Sequence, residues 1–338
     1  MRTGSTLLKA TREFAVEDRA RTWRLLLVTL AVVVGSTVGA ILLPWEWAQL
    51  LAGVAAGLSS IRLFIFYHDH LHGAILRGSR CGEALMSAVG LHLLAVRSVW
   101  RETHNYHHRN NARITGSSIG SFPVVTVETW RGMGAWQRLV YRAVRHPLSI
   151  FGGYLTVFLA GMTISAFRRD PRKHWAGPVA LALHVGAMLL VGSLWGPFTA
   201  FCGVVLPLAV ALGLGSYLFY AQHNFPDMKL KGREDWDYTF AALHSSSMFE
   251  MGPVMHWVTG NIGFHHVHHL NHLIPFYNLP AAMAATPELQ TPGRTSWRPR
   301  DVAACLSLAL WDREADRMLT RAEAAERLAG SPIEPTAR

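Results

Sequence analysis

Three short histidine clusters in this chain have a spacing that suits a metal site. His68 and His72 are four residues apart, so a helix would present both imidazoles on one face. The other two clusters repeat the spacing i, i+3, i+4 and comprise His104, His107 and His108, and then His265, His268 and His269. Because one helical turn rises only about 5.4 Å, side chains at these positions can converge on one ion. The pattern predicts that these histidines bind metal.

A single histidine, His223, joins the clusters because it stands at the inner end of a predicted membrane-spanning helix. The nine histidines together are too many for one tetrahedral ion and suit two ions with open coordination positions. Imidazole binds iron, zinc and copper, so the ligand type leaves the metal open. Three neighbours are candidates for outer hydrogen bonds: His70, His266 and His272. We expect three isolated histidines to bind no metal: His92, His184 and His256.

The composition indicates an integral membrane protein. Of the 338 residues, 50% are hydrophobic and only 16% are charged, which excludes a disordered chain and a highly charged soluble fold. The net charge of +10 would suit a nucleic-acid partner or a basic inner membrane face. Long apolar runs favour the membrane, so no nucleic acid is expected. Cys81, Cys202 and Cys305 stand far apart, which excludes a disulfide framework and a cysteine-ligated metal site.

Apolar runs predict an all-α membrane protein with four spanning helices in two hairpins, at about 25–43, 47–67, 175–194 and 198–220. A short connection at 44–46 joins the first pair. Residues 175–226 contain no Lys, Arg, Asp or Glu and accommodate the second pair, with a turn near 195–197. Arg62 interrupts the second span near its end, where we expect its long side chain to reach the membrane interface.

Basic residues predict the orientation of these spans. A fifth apolar segment, 148–167, is flanked by Arg142, Arg145, Arg168, Arg169, Arg172 and Lys173, whereas both predicted outer turns lack Lys and Arg. We expect both termini to be cytoplasmic and the fifth segment to lie in the interface, because a fifth crossing would separate the histidine clusters. Residues 68–147 and 227–338 then form a helical cytoplasmic cap, with tail helices around 301–319 and 321–328, within a single domain of residues 1–338.

The histidine boxes HxxxH (68–72), HxxHH (104–108) and HxxHH (265–269) closely resemble those of the membrane fatty acid desaturase family. The similarity extends to further stretches that look like the bacterial acyl-lipid branch: Thr259–Leu270, Ile274–Leu279, Gln222-His223 and Ser118–Pro123. It covers roughly residues 60–285.

This resemblance implies a non-haem di-iron centre held by the nine histidines, in which His223 matches the family's additional lone ligand. It further implies O2 as the oxidant and removal of two hydrogens from an acyl chain of a membrane lipid. An unactivated methylene offers nothing acidic or electrophilic to a side chain, so this chemistry needs a redox-active metal, which zinc is not. Electrons would come from a separate carrier, ferredoxin or cytochrome b5, docked on the basic inner face. We expect a multi-pass protein of the bacterial cytoplasmic (inner) membrane with a cytoplasmic active site.

Two departures from the acyl-CoA branch favour an acyl-lipid substrate. The first box is one residue shorter than that branch commonly has, and Phe219 stands where that branch carries Asn. A lipid hydroxylase or carotenoid ketolase is an alternative, because similar boxes serve those reactions, and an acyl-CoA desaturase is a second. A metal transporter or metal-sensing membrane protein is a rival of another class, although the spans carry almost no ionisable residues for a translocation path. Several carboxylates near the clusters are candidates for outer hydrogen bonds, and none is singled out: Asp69, Glu102, Asp227, Asp235 and Asp237.

Overall fold

A computed structural model describes residues 2–114, 116 and 119–330. This part of the chain is mostly helical and contains two small two-stranded sheets. Ser118, at the start of the 118–123 motif, lies outside the described residues, as do residues 331–338 at the end of the predicted cap.

Helices make up the first half of the fold. They are α1 (Gly4–Ala10), α2 (Arg19–Leu42), α3 (Glu46–His72), α4 (Arg80–His92), α5 (Arg97–Asn110), α6 (Val127–Gly132), α7 (Ala135–Val144), α8 (Pro147–Phe151) and α9 (Ala166–Arg169). A 3-10 turn at Arg12–Ala15 follows α1, and a π-helical stretch at Tyr154–Ser165 leads from α8 to α9.

The second half adds helices and short strands. In chain order they are α10 (Ala176–Trp195), α11 (Pro197–Ala200), α12 (Leu206–His223), α13 (Tyr238–His244), β1 (Met248–Glu250), α14 (Pro253–Val258), α15 (His265–Leu270), α16 (Leu279–Ala285), β2 (Arg294–Ser296), α17 (Pro299–Ser307), β3 (Leu308–Asp312), β4 (Arg317–Thr320) and α18 (Arg321–Ala329). A π-helical turn at Phe201–Val205 joins α11 to α12, and 3-10 turns lie at Phe276–Asn278 and Pro287–Leu289.

Four helical segments are long and apolar enough to cross a membrane, which confirms the predicted number. They are α2, α3, α10 and the continuous helix Pro197–His223. The second and fourth extend beyond the predicted ranges 47–67 and 198–220. These extensions contain His68, His72 and His223. Two membrane-length helices therefore have candidate metal ligands at their ends.

Close packing joins α3 to α12. Gly57 of α3 allows this approach, because an added Cβ there would lie 2.6 Å from the Cβ of Val210 and 2.8 Å from the carbonyl oxygen of Pro207. Both distances are shorter than ordinary van der Waals contact. Because glycine has no Cβ, the two helices can approach closely at Gly57. This approach sets the relative position of the two helices and of the histidines at their ends.

The fifth apolar segment, predicted at 148–167, is helical from Pro147 to Arg169 apart from a turn at Gly152. It packs on α12, where the ring of Phe151 stacks on that of Tyr217 at 4.7 Å between centroids. Leu148 and Leu155 are 78% and 56% exposed. The segment is not among the four candidate spans, and its interfacial position stays a prediction.

The predicted tail helix at 301–319 is wrong beyond Ser307, where α17 ends. Leu308–Asp312 and Arg317–Thr320 instead pair as antiparallel strands, with Trp311 opposite Met318. Asp316 adopts a left-handed conformation with φ of 48° in the intervening turn, which Asp tolerates better than most residues. Because β1 and β2 also pair, in parallel, the fold is mostly helical and not all-α. The second predicted tail helix, 321–328, is present as α18.

Arg62 has protein partners that the sequence does not indicate. It is buried inside the fold, where its guanidinium donates to Thr29 Oγ1 at 3.1 Å and to the backbone carbonyl of Trp257. The same group lies 4.7 Å from the ring centroid of Trp257. Arg62 therefore links α2, α3 and α14, and its position relative to the membrane interface stays a prediction.

Candidate metal centre

The first histidine cluster lies at the end of α3. The helix continues through His68 and His72 and ends at Gly73, which has a left-handed conformation with φ of 77° that glycine adopts without strain. Nε2 of His68 lies 2.9 Å from Nε2 of His104. Nε2 of His72 is buried and has no hydrogen-bond partner among the described residues. The two imidazoles lie on one face, as their spacing predicts.

The second cluster lies on α5, where all three of its histidines are buried. Nε2 of His108 is 3.2 Å from Nε2 of His104. The ring of Trp100 stacks on His104 at 4.8 Å with an interplanar angle of 21°. The histidine pattern does not include Trp100, although its spacing of four residues from His104 is a sequence signal that both share one helix face.

The third cluster lies on α15, a helix of only six residues. Nε2 of His265 and Nε2 of His269 are 3.1 Å apart. On the same helix, Nε2 of His268 lies 3.1 Å from Nε2 of His108. This short helix therefore brings its histidines to those of α5.

His223 is the last residue of α12 and is buried. Its Nε2 lies 3.0 Å from Nε2 of His107 and 2.9 Å from Nε2 of His265. Phe219, one turn earlier, packs its ring against both His107 and His223, with centroids 5.0 Å and 5.3 Å apart. The lone histidine thus meets the second and third clusters beside an apolar side chain.

The nine histidines form two groups, and within each group the candidate ligand atoms lie within 4.8 Å of one another. One group combines α3, α5 and α15 and comprises His68, His72, His104, His108 and His268. The other combines α5, α12 and α15 and comprises His107, His223, His265 and His269. The structure therefore brings together every histidine that the sequence predicts as a ligand.

The spacing of the donors fits bound metal. Neighbouring Nε2 atoms in the close pairs are 2.9 to 3.3 Å apart. Two nitrogens bonded to one ion at about 2.1 Å, at a right angle to each other, are roughly 3 Å apart. The buried, unpartnered Nε2 of His72 points to the same conclusion. An all-imidazole donor set of this size suits a pair of transition-metal ions, including iron.

Burial keeps the imidazoles of α5 and α15 in the form that binds metal. Desolvation, followed by the neighbouring imidazoles, lowers the pKa of each of these histidines well below the ordinary value of 6.5: His104, His107, His108, His265, His268 and His269. Neutral imidazole is the metal-binding form. These side chains therefore need not lose protons at pH 7 before they bind an ion.

Asp69 contacts the outer nitrogen of one candidate ligand. Its Oδ1 lies 2.9 Å from Nδ1 of His68, and its Oδ2 accepts a 2.8 Å hydrogen bond from the backbone N–H of Phe276. A carboxylate at Nδ1 fixes the ring orientation and leaves Nε2 free for a metal. The backbone carbonyl of Ser245 lies 3.1 Å from Nδ1 of His223 and can do the same.

The other carboxylates near the clusters have different surroundings. Glu102 is exposed and forms an ion pair with Lys173. Asp237 caps α13 by accepting a hydrogen bond from the N–H of Phe240. Asp227 and Asp235 are exposed. Of the five acidic residues considered from the sequence, Asp69 is the one in direct contact with a candidate ligand.

Two of the neighbouring histidines bond elsewhere. Nε2 of His70 lies 3.1 Å from Oε2 of Glu83, and Nε2 of His266 lies 3.1 Å from the carbonyl oxygen of Leu289. Neither belongs to a donor group. We therefore do not assign His70 or His266 as a direct hydrogen-bond partner of a candidate ligand.

His272 is placed differently, with its ring 4.8 Å from that of His72 and 5.3 Å from that of His108. It lies beside the first group without belonging to it. Farther away, Nε2 of His184 is 2.6 Å from the hydroxyl of Tyr154. His92, His184 and His256 lie outside both groups.

A family model described as "Fatty acid desaturase" matches residues 45–300, a range that includes all nine histidines. A Bacillus subtilis protein named "Fatty acid desaturase" is 30% identical over 237 residues, which cover 69% of this chain and 66% of the relative, just under two thirds of its length. A "sn-1 oleoyl-lipid 12-desaturase" from Synechocystis is 23% identical, covering 82% of this chain and 79% of the relative. A Nostoc protein named "sn-1 acyl-lipid omega-3 desaturase (ferredoxin)" is 24% identical, covering 66% and 63%.

Proposed function

Because this chain belongs to the fatty acid desaturase family of oxidoreductases, we propose that it introduces a double bond into a fatty acyl chain of a membrane lipid. The observation that carries the proposal is the convergence of nine imidazoles, from three helical clusters and one isolated residue, into two donor groups. The nine histidines would hold two iron ions, one in each group.

When bound, the iron pair supplies the O2-dependent oxidation that an unactivated pair of methylenes requires. In the balanced reaction, –CH2–CH2–, O2, two electrons and two protons give –CH=CH– and two water molecules. The chain's own residues hold the site in place, with Asp69 orienting His68 and the carbonyl of Ser245 orienting His223. Burial of the clusters limits the access of bulk water.

The proposed substrate is an acyl chain esterified in a lipid. Two relatives are named as lipid desaturases, which supports this class over acyl-CoA. The short first histidine box also favours a lipid substrate over acyl-CoA. Phe219 does the same, because it places an aromatic ring, and not an amide, beside His107 and His223.

We also propose that the four membrane-length helices form two hairpins and that the metal centre lies in a cytoplasmic cap of a bacterial inner-membrane protein. Exposed apolar side chains on these helices support their contact with lipid, for example Leu27 and Leu189 at 60% and 64% exposure. The concentration of Lys and Arg on one side supports the orientation. A tag-accessibility map that finds residues 168–173 outside the cell would contradict it.

An external electron carrier completes the proposal. The Nostoc relative is named as a ferredoxin enzyme, which supports ferredoxin ahead of cytochrome b5 as the donor. A small acidic carrier would dock on the basic inner face, where opposite charge speeds encounter.

The test is expression in a bacterial host with a simple lipid profile, followed by mass spectrometry and double-bond mapping of its fatty acids. We expect new acyl chains that lack two hydrogens, and none in a host that makes the His265→Ala variant. Gain of oxygen in the product would contradict desaturation and support the hydroxylase or ketolase alternative.

A further inference from the structure

A groove runs along the exposed side of α5, next to the side that carries the buried histidines of the metal centre. Its volume is about 950 Å³, and it lies between the end of α4, the exposed side of α5 and the residues around the start of α10. Four residues of α5 form a stripe at intervals of four along this groove: Arg97, Arg101, Asn105 and Arg109. The buried histidines of the same helix do not line it.

The groove is basic. Besides the three arginines, Lys173 lines it, against a single carboxylate from Glu102. Lys173 pairs with Glu102, and Arg97 pairs with Glu83. Among the residues that the structure describes, Arg101 and Arg109 have no acidic partner. The guanidinium groups of Arg101 and Arg109 therefore give the groove a positive charge that attracts an anion.

The groove also adjoins a membrane-length helix. Lys173 and Trp175 immediately precede α10, and Ala176 is its first residue. Trp175 is 64% exposed, and tryptophan is favoured where a protein crosses the membrane surface. The side chain of Leu91, from α4, forms an apolar part of the groove wall. A ligand that matches this lining has an anionic group and an apolar part at the level of the lipid head groups.

We propose that this groove binds the phosphate-bearing head group of a phospholipid, with Arg101 and Arg109 contacting the phosphate and Leu91 and Trp175 contacting the start of an acyl chain. The volume lies within the range of roughly 300 to 1,000 Å³ for small-molecule sites. A docked protein carrier would instead cover a broad surface patch, on the order of 600 Å² even for a weak electron-transfer complex. Phospholipid binding in the groove does not depend on the proposed function. The further claim that this phospholipid is the substrate rests on the proposed function.

The bound head group would then lie about one helix diameter, roughly 10 Å, from the histidines of α5. Head-group binding at a fixed distance from the metal centre would limit which carbons of the acyl chain can reach the metals. The groove thereby contributes to substrate choice through Arg101 and Arg109.

The test is binding of phosphatidylglycerol to the purified full chain in a neutral detergent, measured by native mass spectrometry. The double variant Arg101→Gln/Arg109→Gln should weaken binding about tenfold or more, because two charge-assisted contacts are lost. The matched control Arg24→Gln/Arg168→Gln removes the same charge outside the groove and should bind as the unchanged protein does. Unchanged binding by the groove variant, or equal loss in the control, would overturn the proposal.

Competition distinguishes the possible ligands. We expect inorganic phosphate and diacylglycerol each to displace the phospholipid only at much higher concentration, because each supplies half of the contacts. Phosphate that competes as well as the lipid would identify a simple anion site and overturn the assignment. If the groove variant loses ferredoxin binding but keeps lipid binding, the groove is a protein-docking site, which also overturns it.

Iron content, measured on the same preparations, separates this proposal from the proposed function. Reduced lipid binding with unchanged iron supports the groove whatever product the enzyme makes. A chain that binds lipid as expected but forms no double bond would contradict the proposed function and leave the groove supported.

Discussion

His107 and His223 are 116 positions apart in the sequence, yet their Nε2 atoms lie 3.0 Å apart in the structure. His107 comes from α5 and His223 from the end of a membrane-length helix. Neither cluster spacing nor hydropathy brings these two residues together. The centre therefore depends on how the spans pack against the segments that follow them.

Replacing His223 tests its role as a ligand. His223→Ala removes a nitrogen that lies close to both His107 and His265, so we expect loss of iron from that donor group and loss of turnover. The measurement is iron per chain in purified protein. His184→Ala, outside both groups, should retain iron near the unchanged level. Equal losses in the two variants would indicate a folding defect and contradict ligation by His223.

Replacing Asp69 tests the hydrogen bond between its carboxylate and Nδ1 of His68. Asp69→Asn leaves a side chain of the same size but removes the carboxylate from Nδ1 of His68, so iron affinity should fall by about 10- to 100-fold. Competition with a calibrated chelator measures this affinity. Asp18→Asn is the control, because Asp18 caps α2 and asparagine caps helices as well. Unchanged affinity in Asp69→Asn would show that Asp69 does not support the ligand.

Gly57 tests the packing that positions the ligands. Gly57→Ala places a methyl group against Val210 and Pro207, so the free energy of unfolding should fall by about 1 to 3 kcal/mol. Unfolding in one detergent at matched conditions measures it. Gly35→Ala meets no atom within 4 Å and should be neutral or slightly stabilising. Equal stability of both variants would contradict close packing of α3 on α12.

Salt tests the docking of the electron donor. Raising ionic strength from about 0.05 M to about 0.5 M shortens the screening length, so the KM for ferredoxin should rise several-fold while kcat changes little. Steady-state turnover at a fixed lipid concentration measures both constants. A KM that does not change with salt would contradict docking on the basic face.

Local periodicity explains what the sequence predicts well. The spacing of four residues puts His68 and His72 on one face wherever a helix forms, and long apolar runs define the four membrane-length helices, with Arg62 as an interruption in the second. Each of these two patterns can be recognised within one continuous segment of the sequence. The sequence therefore predicts the candidate ligands and the number of long helices without knowledge of tertiary contacts.

Long-range contacts explain what the sequence does not predict. Asp69 differs from the other nearby carboxylates partly because the N–H of Phe276, 207 positions away, fixes its second oxygen. The burial of Arg62 depends on hydrogen bonds to Thr29 and Trp257, which the pattern of its own segment does not reveal. Pairing of β3 with β4 similarly overrides helix-favouring residues such as Leu310 and Leu319.

The most direct test of the account is the metal content of purified, active protein, determined by elemental analysis together with Mössbauer spectroscopy of iron-57-labelled material. We predict two iron ions per chain with nitrogen-rich coordination and lipid desaturation in proportion to iron. Full activity in protein that contains no iron, or that contains only zinc, would contradict the account.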